Sequence, residues 1–590
     1  FAFSPDGRWL ARLHHPAEGD PGPEASREEG DEQEGVEGER SREDPGTLLV
    51  IRDLASGAEQ EFQAVRTFVF PESGQWLAMA VASPDGQTDG VYAVDLATAA
   101  AQPLSTSSFS SVGSLSWAED GTRLAWVLAP EDESGELGEG LVQVWDGGAV
   151  RDVVGPEDLS GDRMVPADTQ LRWSDDGQRL FFGTRVSEAP GGGSEPPDGA
   201  EPEEASTDPF DIDAILQDRE VDVWHTFDPL INPNQKQTWR RRQARTDLAM
   251  VDLASGRVVQ LGDAQLDVSA PARSARFALA SSGTPYLRER TWVGTMEDRY
   301  VVSLQDGERQ MFAEAFRGGT SAANQWVGVF APALSQSPEG RFVAWFQDDH
   351  WHLFDAETGE SRNLTQDMDV AFYDVDHDYP QPRGGHGVGG WLAGDEAVLI
   401  HDKYDVWQFP TDGGEPLNLT GGQGREARLV LRVLSVDPDA GPYAPGDRVH
   451  LASFGEDDKA FGFWTAQASR VGLEPLLVAP KRFRVVAKAD EADVVLFTRE
   501  DYDEFPDLWV SGADFGNPTR VTDVNPGLIE RFAWGTSELV EWTSDDGTPL
   551  QGVVIKPGNY EPGRRYPVLT YFYRFFSQRL HEFNQPVINH

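Results

Sequence analysis

His350 and His352 stand one residue apart, flanked by Asp348, Asp349 and Asp355. On a β-strand this spacing puts both imidazoles on one face, and a third ligand from elsewhere would complete a metal site. The segment lies inside a regular repeat, which favours the simpler account of an exposed strand edge, and no metal ligand is assigned. Asp374, Asp376 and Asp378 alternate as at the start of a calcium loop, but Tyr379 stands where the loop needs glycine and Gly385 where it needs a bidentate glutamate. A solvated acidic loop is the better account. Arg240, Arg241 and Arg242 could anchor a substrate carboxylate, although pairing with neighbouring acids is the more ordinary role for such a run. The chain has no cysteine, hence no thiolate nucleophile, thiolate metal site or disulfide framework. It also has no Gly-x-Ser-x-Gly, so no nucleophile elbow is present.

The elements that must position these residues are announced by a repeat. An aromatic strand end, a turn of the Ser-Pro-Asp-Gly type and an apolar strand recur from Phe3 to Ala11, Phe70 to Ala78, Trp117 to Ala125, Trp173 to Phe181 and Ser337 to Ala344. Proline presets φ for the turn, aspartate bonds the backbone ahead of it and glycine takes the positive φ. A second signature, a strand followed by an Asp- and Gly-rich turn, closes the units at Leu49 to Gly57, Ala249 to Gly256 and Trp351 to Gly359. Weaker units follow at 277–312, 391–420, 448–478 and 485–522, making nine repeat stretches. Four strands per unit at a spacing of roughly 45–55 residues is the period of a β-propeller blade. The fold predicted is all-β, a propeller of eight blades, with seven the alternative, followed by the first strands of an α/β-hydrolase domain.

Three insertions interrupt the pattern. Residues 16–47 and 187–210 are acidic, lack apolar periodicity and read as solvated loops. Residues 211–245 carry apolar anchors and read as an ordered excursion between strands of one blade. The 590 residues include 100 acidic and 49 basic ones, a net charge of -51. Such a surface excludes nucleic acid and anionic membrane as partners, because phosphate contacts need a basic face. Only six of the basic residues are lysines, at 236, 403, 459, 481, 488 and 556. Acid excess with scarce lysine fits a surface adapted to high salt; a GC-biased genome with two acidic inserts is the alternative. No run approaches the ~18 apolar residues of a transmembrane helix. Phe1 opens in mid-pattern, so a preceding segment is expected and its targeting signal cannot be judged.

The end of the chain is the most specific stretch. Trp542-Thr-Ser-Asp-Asp-Gly-Thr-Pro-Leu550 predicts a strand, a tight turn and a returning strand through Gln551-Gly-Val-Val-Ile-Lys-Pro557. Asn559 to Gly563 is a loop, and Arg565-Tyr-Pro-Val-Leu-Thr-Tyr-Phe-Tyr573 predicts an apolar buried strand. This progression resembles the prolyl oligopeptidase family of serine peptidases. Tyr404-Asp-Val-Trp407 and Phe505-Pro-Asp-Leu-Trp-Val510 resemble blades of its large bacterial members. Close resemblance covers about 390–590, and the blade pattern extends it over the chain.

The resemblance implies a propeller over 1–535 and the N-terminal part of a hydrolase domain over 536–590. It implies that Tyr573 gives its hydroxyl to an oxyanion hole, where a phenol at a strand end is a preorganised donor. Arg574, Phe575 and Phe576 follow where the family has small residues. The family's Ser, Asp and His are expected beyond His590, so this chain alone should be inactive. The implied activity is hydrolysis of peptide bonds in short peptides, with the propeller gating access, no cofactor, and a periplasmic or secreted bacterial setting. The glutamates by which dipeptidyl peptidases capture a free amine find no matching context here, so exopeptidase action is unsupported. Two alternatives stay open: a non-catalytic propeller that binds protein or peptide, and an esterase or acylaminoacyl hydrolase of the same fold.

Overall fold

A computed structural model describes residues 1–14, 45–72, 75–132, 135–187, 225–271, 275–319, 326–437, 440–490, 492–572 and 576–585. The acidic stretch 16–47 lies outside these residues except for its last three, and 187–210 except for its first. The chain divides into two compact units, Phe1–Ala315 and Phe316–His590.

The repeat turns fold as their residues dictate. In the first, the Ser4 hydroxyl donates to Asp6 Oδ1 at 2.5 Å, the Arg8 N–H donates to the same oxygen at 3.0 Å, and the Trp9 N–H donates to Ser4 Oγ at 2.9 Å. Gly7 takes φ 68°, a conformation that penalises any side chain. Ser174, Asp176 and Gly177 repeat the arrangement.

From the turns the chain runs into antiparallel strands, and among the described residues there are eight sheets of four or more strands, with a separate two-stranded ribbon. The first unit holds a seven-stranded, a four-stranded, a five-stranded and another four-stranded sheet. The seven-stranded sheet joins two repeats, because the long strand Glu59–Val69 pairs with Thr47–Asp53 through its first half and with Trp76–Val81 through its second. The nine repeat stretches are thereby distributed over eight sheets. The second unit holds four four-stranded sheets and the ribbon, Thr536–Thr543 paired with Pro549–Lys556. The fold is all-β and built of propeller-type blades.

The core lies between consecutive sheets. Val127, Val142 and Val144 of one sheet close on Leu180, Phe182, Ala249 and Val251 of the next. In the second unit Phe463, Phe483, Phe497 and Phe515 form one aromatic cluster, with Phe463 and Phe515 stacked at 4.1 Å. Burial of each such ring stabilises by roughly 1.5–3 kcal/mol.

Within the expected excursion 211–245, residues from 225 are described and contain the helix Asn232–Gln243. Pro233 in its first turn suits the fixed φ of a helix start, and Arg240, Arg241 and Arg242 in its last turn suit the negative end of the dipole. No helix among the described residues is long and apolar enough to cross a membrane.

The end of the chain departs from expectation. Residues 566–572 form no strand: Val568, Leu569, Tyr571 and Phe572 are 86, 94, 75 and 84 % exposed. An apolar run becomes a buried strand only with neighbours to complete its ladder and cover its faces, and no described strand pairs with it. After it, Leu580 and Phe583 are buried, Phe583 stacks on Trp534 at 5.5 Å, and His581 Nδ1 lies 2.9 Å from Asp501 Oδ1.

Candidate binding cleft

The turn Asp402-Lys-Tyr-Asp405 joins strands Ala397–His401 and Val406–Pro410 and is organised by the fully buried Asp402. Its carboxylate accepts from the N–H groups of Tyr404 at 2.6 Å and Asp405 at 2.7 Å, from Trp407 Nε1 at 3.0 Å and from Arg425 Nη2 at 2.9 Å. So held, the turn presents Lys403 to a cleft of 770 Å³ in the second unit. The ribbon also lines it, with Glu541, Trp542, Leu550 and Gln551, as do Trp326, Phe454 and Ser577.

Charges line this cleft in an ordered network. Lys403 Nζ bridges Asp376 at 2.8 Å and Glu456 at 2.9 Å. Burial alone would lower its pKa; hydrogen bonds to these two carboxylates outweigh that and raise it above the usual lysine value. Glu456 also accepts from the Tyr404 hydroxyl at 2.8 Å and pairs with Arg428 Nη2 at 2.9 Å. Burial, then the Glu456 carboxylate, push the Tyr404 phenol up. Arg428 Nε pairs with Asp457 at 2.9 Å. Lys459 donates to the main-chain oxygen of Glu456 and, at 2.7 Å, to Gln551 Oε1. The amide of Gln551 returns to Glu541 Oε1 at 2.8 Å and to the Asp457 carbonyl at 3.1 Å, tying ribbon to blade. The cleft thus combines both signs of charge with several aromatic side chains.

The residues singled out by their types fall elsewhere or take other roles. Of the acidic loop, Asp376 joins the cleft as a partner of Lys403, while buried Asp374 accepts from the Asp376 N–H at 3.1 Å. His350 Nδ1 sits 3.3 Å from Thr365 Oγ1, and His352 stacks on Trp345 at 5.0 Å with its pKa lowered by burial. Asp349 pairs with Arg383 and Asp355 with Arg341, which leaves neither acid to serve the histidines. No group of three or more His, Asp or Glu residues among the described residues is arranged to hold a metal. Arg240, Arg241 and Arg242 lie in the first unit and, among the described residues, pair with no carboxylate. Arg242 lies over the Trp239 ring at 5.8 Å. No described acid lies within ion-pair distance of this exposed helix turn, and the acidic stretch 188–224 that precedes it lies outside the described residues. Tyr573 lies outside the described residues.

Lys403, Glu456 and Lys459 were not singled out by motif, and Tyr404 only as the start of the blade-like Tyr404–Trp407 stretch. One signal was available: two of only six lysines in the chain line this cleft.

No family model and no curated protein matches the chain. Solved structures do. A dipeptidyl peptidase 4 of Porphyromonas gingivalis is similar at 10% identity over 84% of this chain and 65% of that one, with a TM-score of 0.40. A prolyl endopeptidase is similar at 10% identity over 84% and 55%, with a TM-score of 0.27. The AtxE2 isopeptidase with Astexin3-dC4 bound is similar at 13% identity over 79% and 61%, with a TM-score of 0.24. The chain spans less than two thirds of the length of each.

Proposed function

We propose that the chain is the propeller and hydrolase-entry portion of a serine peptidase of the prolyl oligopeptidase type, and that the cleft lined by Lys403, Glu456 and Gln551 receives short peptides. The observation that carries this reading is the progression from Trp542 to Tyr573, whose first two strands form the ribbon lining the cleft. In this reading the blades admit short peptides and exclude folded proteins. Tyr573 donates to the oxyanion that forms when a serine, assisted by histidine and aspartate, attacks the scissile carbonyl. That serine is not among the 590 residues, since no Gly-x-Ser-x-Gly occurs.

The test is serine-directed fluorophosphonate labelling of the natural gene product together with hydrolysis of short peptides. Labelling, with kcat reduced about 10²-fold or more by Tyr573→Phe and KM little changed, is expected from loss of one oxyanion donor. An unlabelled gene product overturns the peptidase reading.

A non-catalytic peptide-binding propeller is favoured by one observation. The turn Ser544 to Thr548 shares the serine–aspartate bond of the blade turns, Ser544 Oγ donating to Asp546, and closes one residue shorter, with the Thr548 N–H donating to Ser544 Oγ at 3.1 Å. Part of the hydrolase-like motif is thus ordinary blade-turn chemistry.

A further inference from the structure

Lys459 occupies a turn that recurs through the chain and is usually closed by glycine. In each copy the N–H of the fifth residue donates to the carbonyl of the first. It does so from Gly57 to Asp53 at 2.7 Å, and from Gly256 to Asp252, Gly307 to Ser303 and Gly359 to Asp355, each at 2.8 Å. The fifth residue takes a left-handed conformation, with φ 76°, 72°, 76° and 74° at those glycines. Lys459 makes the same bond to Gly455 at 3.0 Å with φ 61°. A side chain is disfavoured there; besides Ala99, which bonds Asp95 at 2.7 Å with φ 67°, Lys459 takes the position at the turn that borders the cleft.

Its ammonium group is buried, and both its hydrogen-bond acceptors are uncharged: the Glu456 carbonyl and Gln551 Oε1. The neighbouring carboxylates are committed elsewhere. Glu456 takes Lys403, Tyr404 and Arg428, Asp457 takes Arg428, and Asp458 accepts the Ala460 N–H at 3.0 Å. Lys403 and Arg428, the other cations of the cleft, are both held in ion pairs. Lys459 alone among the three brings a positive charge with no carboxylate on it, and an ammonium has a third N–H to give.

The geometry points to Lys459 as the anchor for the C-terminal carboxylate of a bound peptide. This rests on the reading of the cleft as a peptide site and narrows its ligand to short peptides with a free carboxyl end. Glu541, reached through Gln551, keeps the lysine oriented without neutralising it by direct contact.

The probe is N-acetyl-tetraalanine, as the free acid and as the C-terminal amide, titrated calorimetrically into the whole 590-residue chain. The free acid should bind at least tenfold tighter than the amide. Lys459→Gly, which suits the left-handed turn, should erase that difference between acid and amide. Lys459→Arg should retain part of it. Equal binding of acid and amide to the unaltered chain, or a preference that survives Lys459→Gly, overturns the carboxylate anchor while leaving a peptide cleft standing. Failure of both peptides to bind overturns the peptide cleft itself and the anchor with it.

Discussion

The Ser337 hydroxyl donates to Asp395 Oδ2 at 2.5 Å, and the two residues belong to consecutive sheets, 58 positions apart. In other repeat turns the carboxylate comes from within, as Asp6 serves Ser4. Here Glu339 stands at that position, its own N–H donates to Asp395 Oδ1 at 2.9 Å, and the next blade supplies the missing acid. A local turn has become a bond between sheets.

Asp395→Ala should therefore destabilise the second unit more than loss of an ordinary turn residue would. It strands the buried Ser337 hydroxyl, at about 1–3 kcal/mol for an unsatisfied group, and removes the acceptor of the partly buried Glu339 N–H. A lower urea midpoint, with earlier hydrogen exchange across Leu334–Gln336 and Phe342–Gln347, is the expected result. Asp395→Asn should lose less, because asparagine keeps one acceptor and tolerates the residue's φ of 56°. Equal losses for the two variants would count against the hydrogen-bond account.

Gln551→Leu should loosen the ribbon. A two-stranded hairpin is marginal by itself, and this one is docked on the blade by Gln551 contacts to Lys459 and Asp457, while its bond to Glu541 stays within the ribbon. Two of these involve charged groups, so the loss is about 1–2 kcal/mol of local stability. It would be read as a roughly tenfold or larger rise in exchange over Thr536–Thr543 and Pro549–Lys556. Unchanged protection would place the docking elsewhere.

How far such features could be read from residues alone depends on the range of the interaction that makes them. Ser4, Asp6 and Gly7 act within five positions, so the turns and the strands after them were legible. The cleft was not: Asp376, Lys403, Glu456 and Gln551 come from four separate segments, and no spacing rule connects them. The same limit explains residues 566–572. Their apolar character reads as a buried strand, but burial depends on partners that composition does not supply. Asp374 and Asp376 looked like one loop with one purpose, yet one turns inward to fix the backbone and the other meets Lys403. Arg240 to Arg242 looked like paired charges, yet no described acid meets the exposed helix turn that carries them.

Acid should release the segment 577–585 from its blade. Burial tends to raise the Asp501 pKa, but hydrogen bonds from His581 and Lys481 dominate and bring it from 3.8 to about 2. A carboxylate whose folded pKa is depressed stabilises the fold above its unfolded value. That contribution is lost as pH falls from about 4 towards 2, and its full size is about 2 kcal/mol. Exchange at Ser577–Arg579 and at Phe583 should rise across that window. In Asp501→Asn it should already be high at pH 6 and change little on acidification. A wild-type profile that stays flat from pH 4 to 2 would contradict the assignment.

Milder acid should weaken the second unit through two buried histidines. His386 Nδ1 accepts from Arg432 Nη2 at 3.2 Å while its Nε2 donates to the Tyr373 carbonyl at 3.2 Å, and His401 Nε2 accepts the Val433 N–H at 3.1 Å. Each ring thus needs one bare nitrogen and must be neutral. Burial, then the Arg432 guanidinium beside them, hold both pKa values well below 6.5. The His401 ring and Lys403 add to this at His386. For a base whose folded pKa is depressed, the unfolded chain takes up the proton first. Stability is therefore intact above the unfolded value of 6.5 and declines as pH falls below it. Each histidine contributes a slope approaching 1.4 kcal/mol per pH unit. Urea midpoints measured between pH 7.5 and 5 should fall accordingly. In His386→Gln the slope should be about halved, because the glutamine carbonyl can still accept from Arg432 and does not titrate in this range. A slope as steep in the variant as in the unaltered chain would move the titration to other groups.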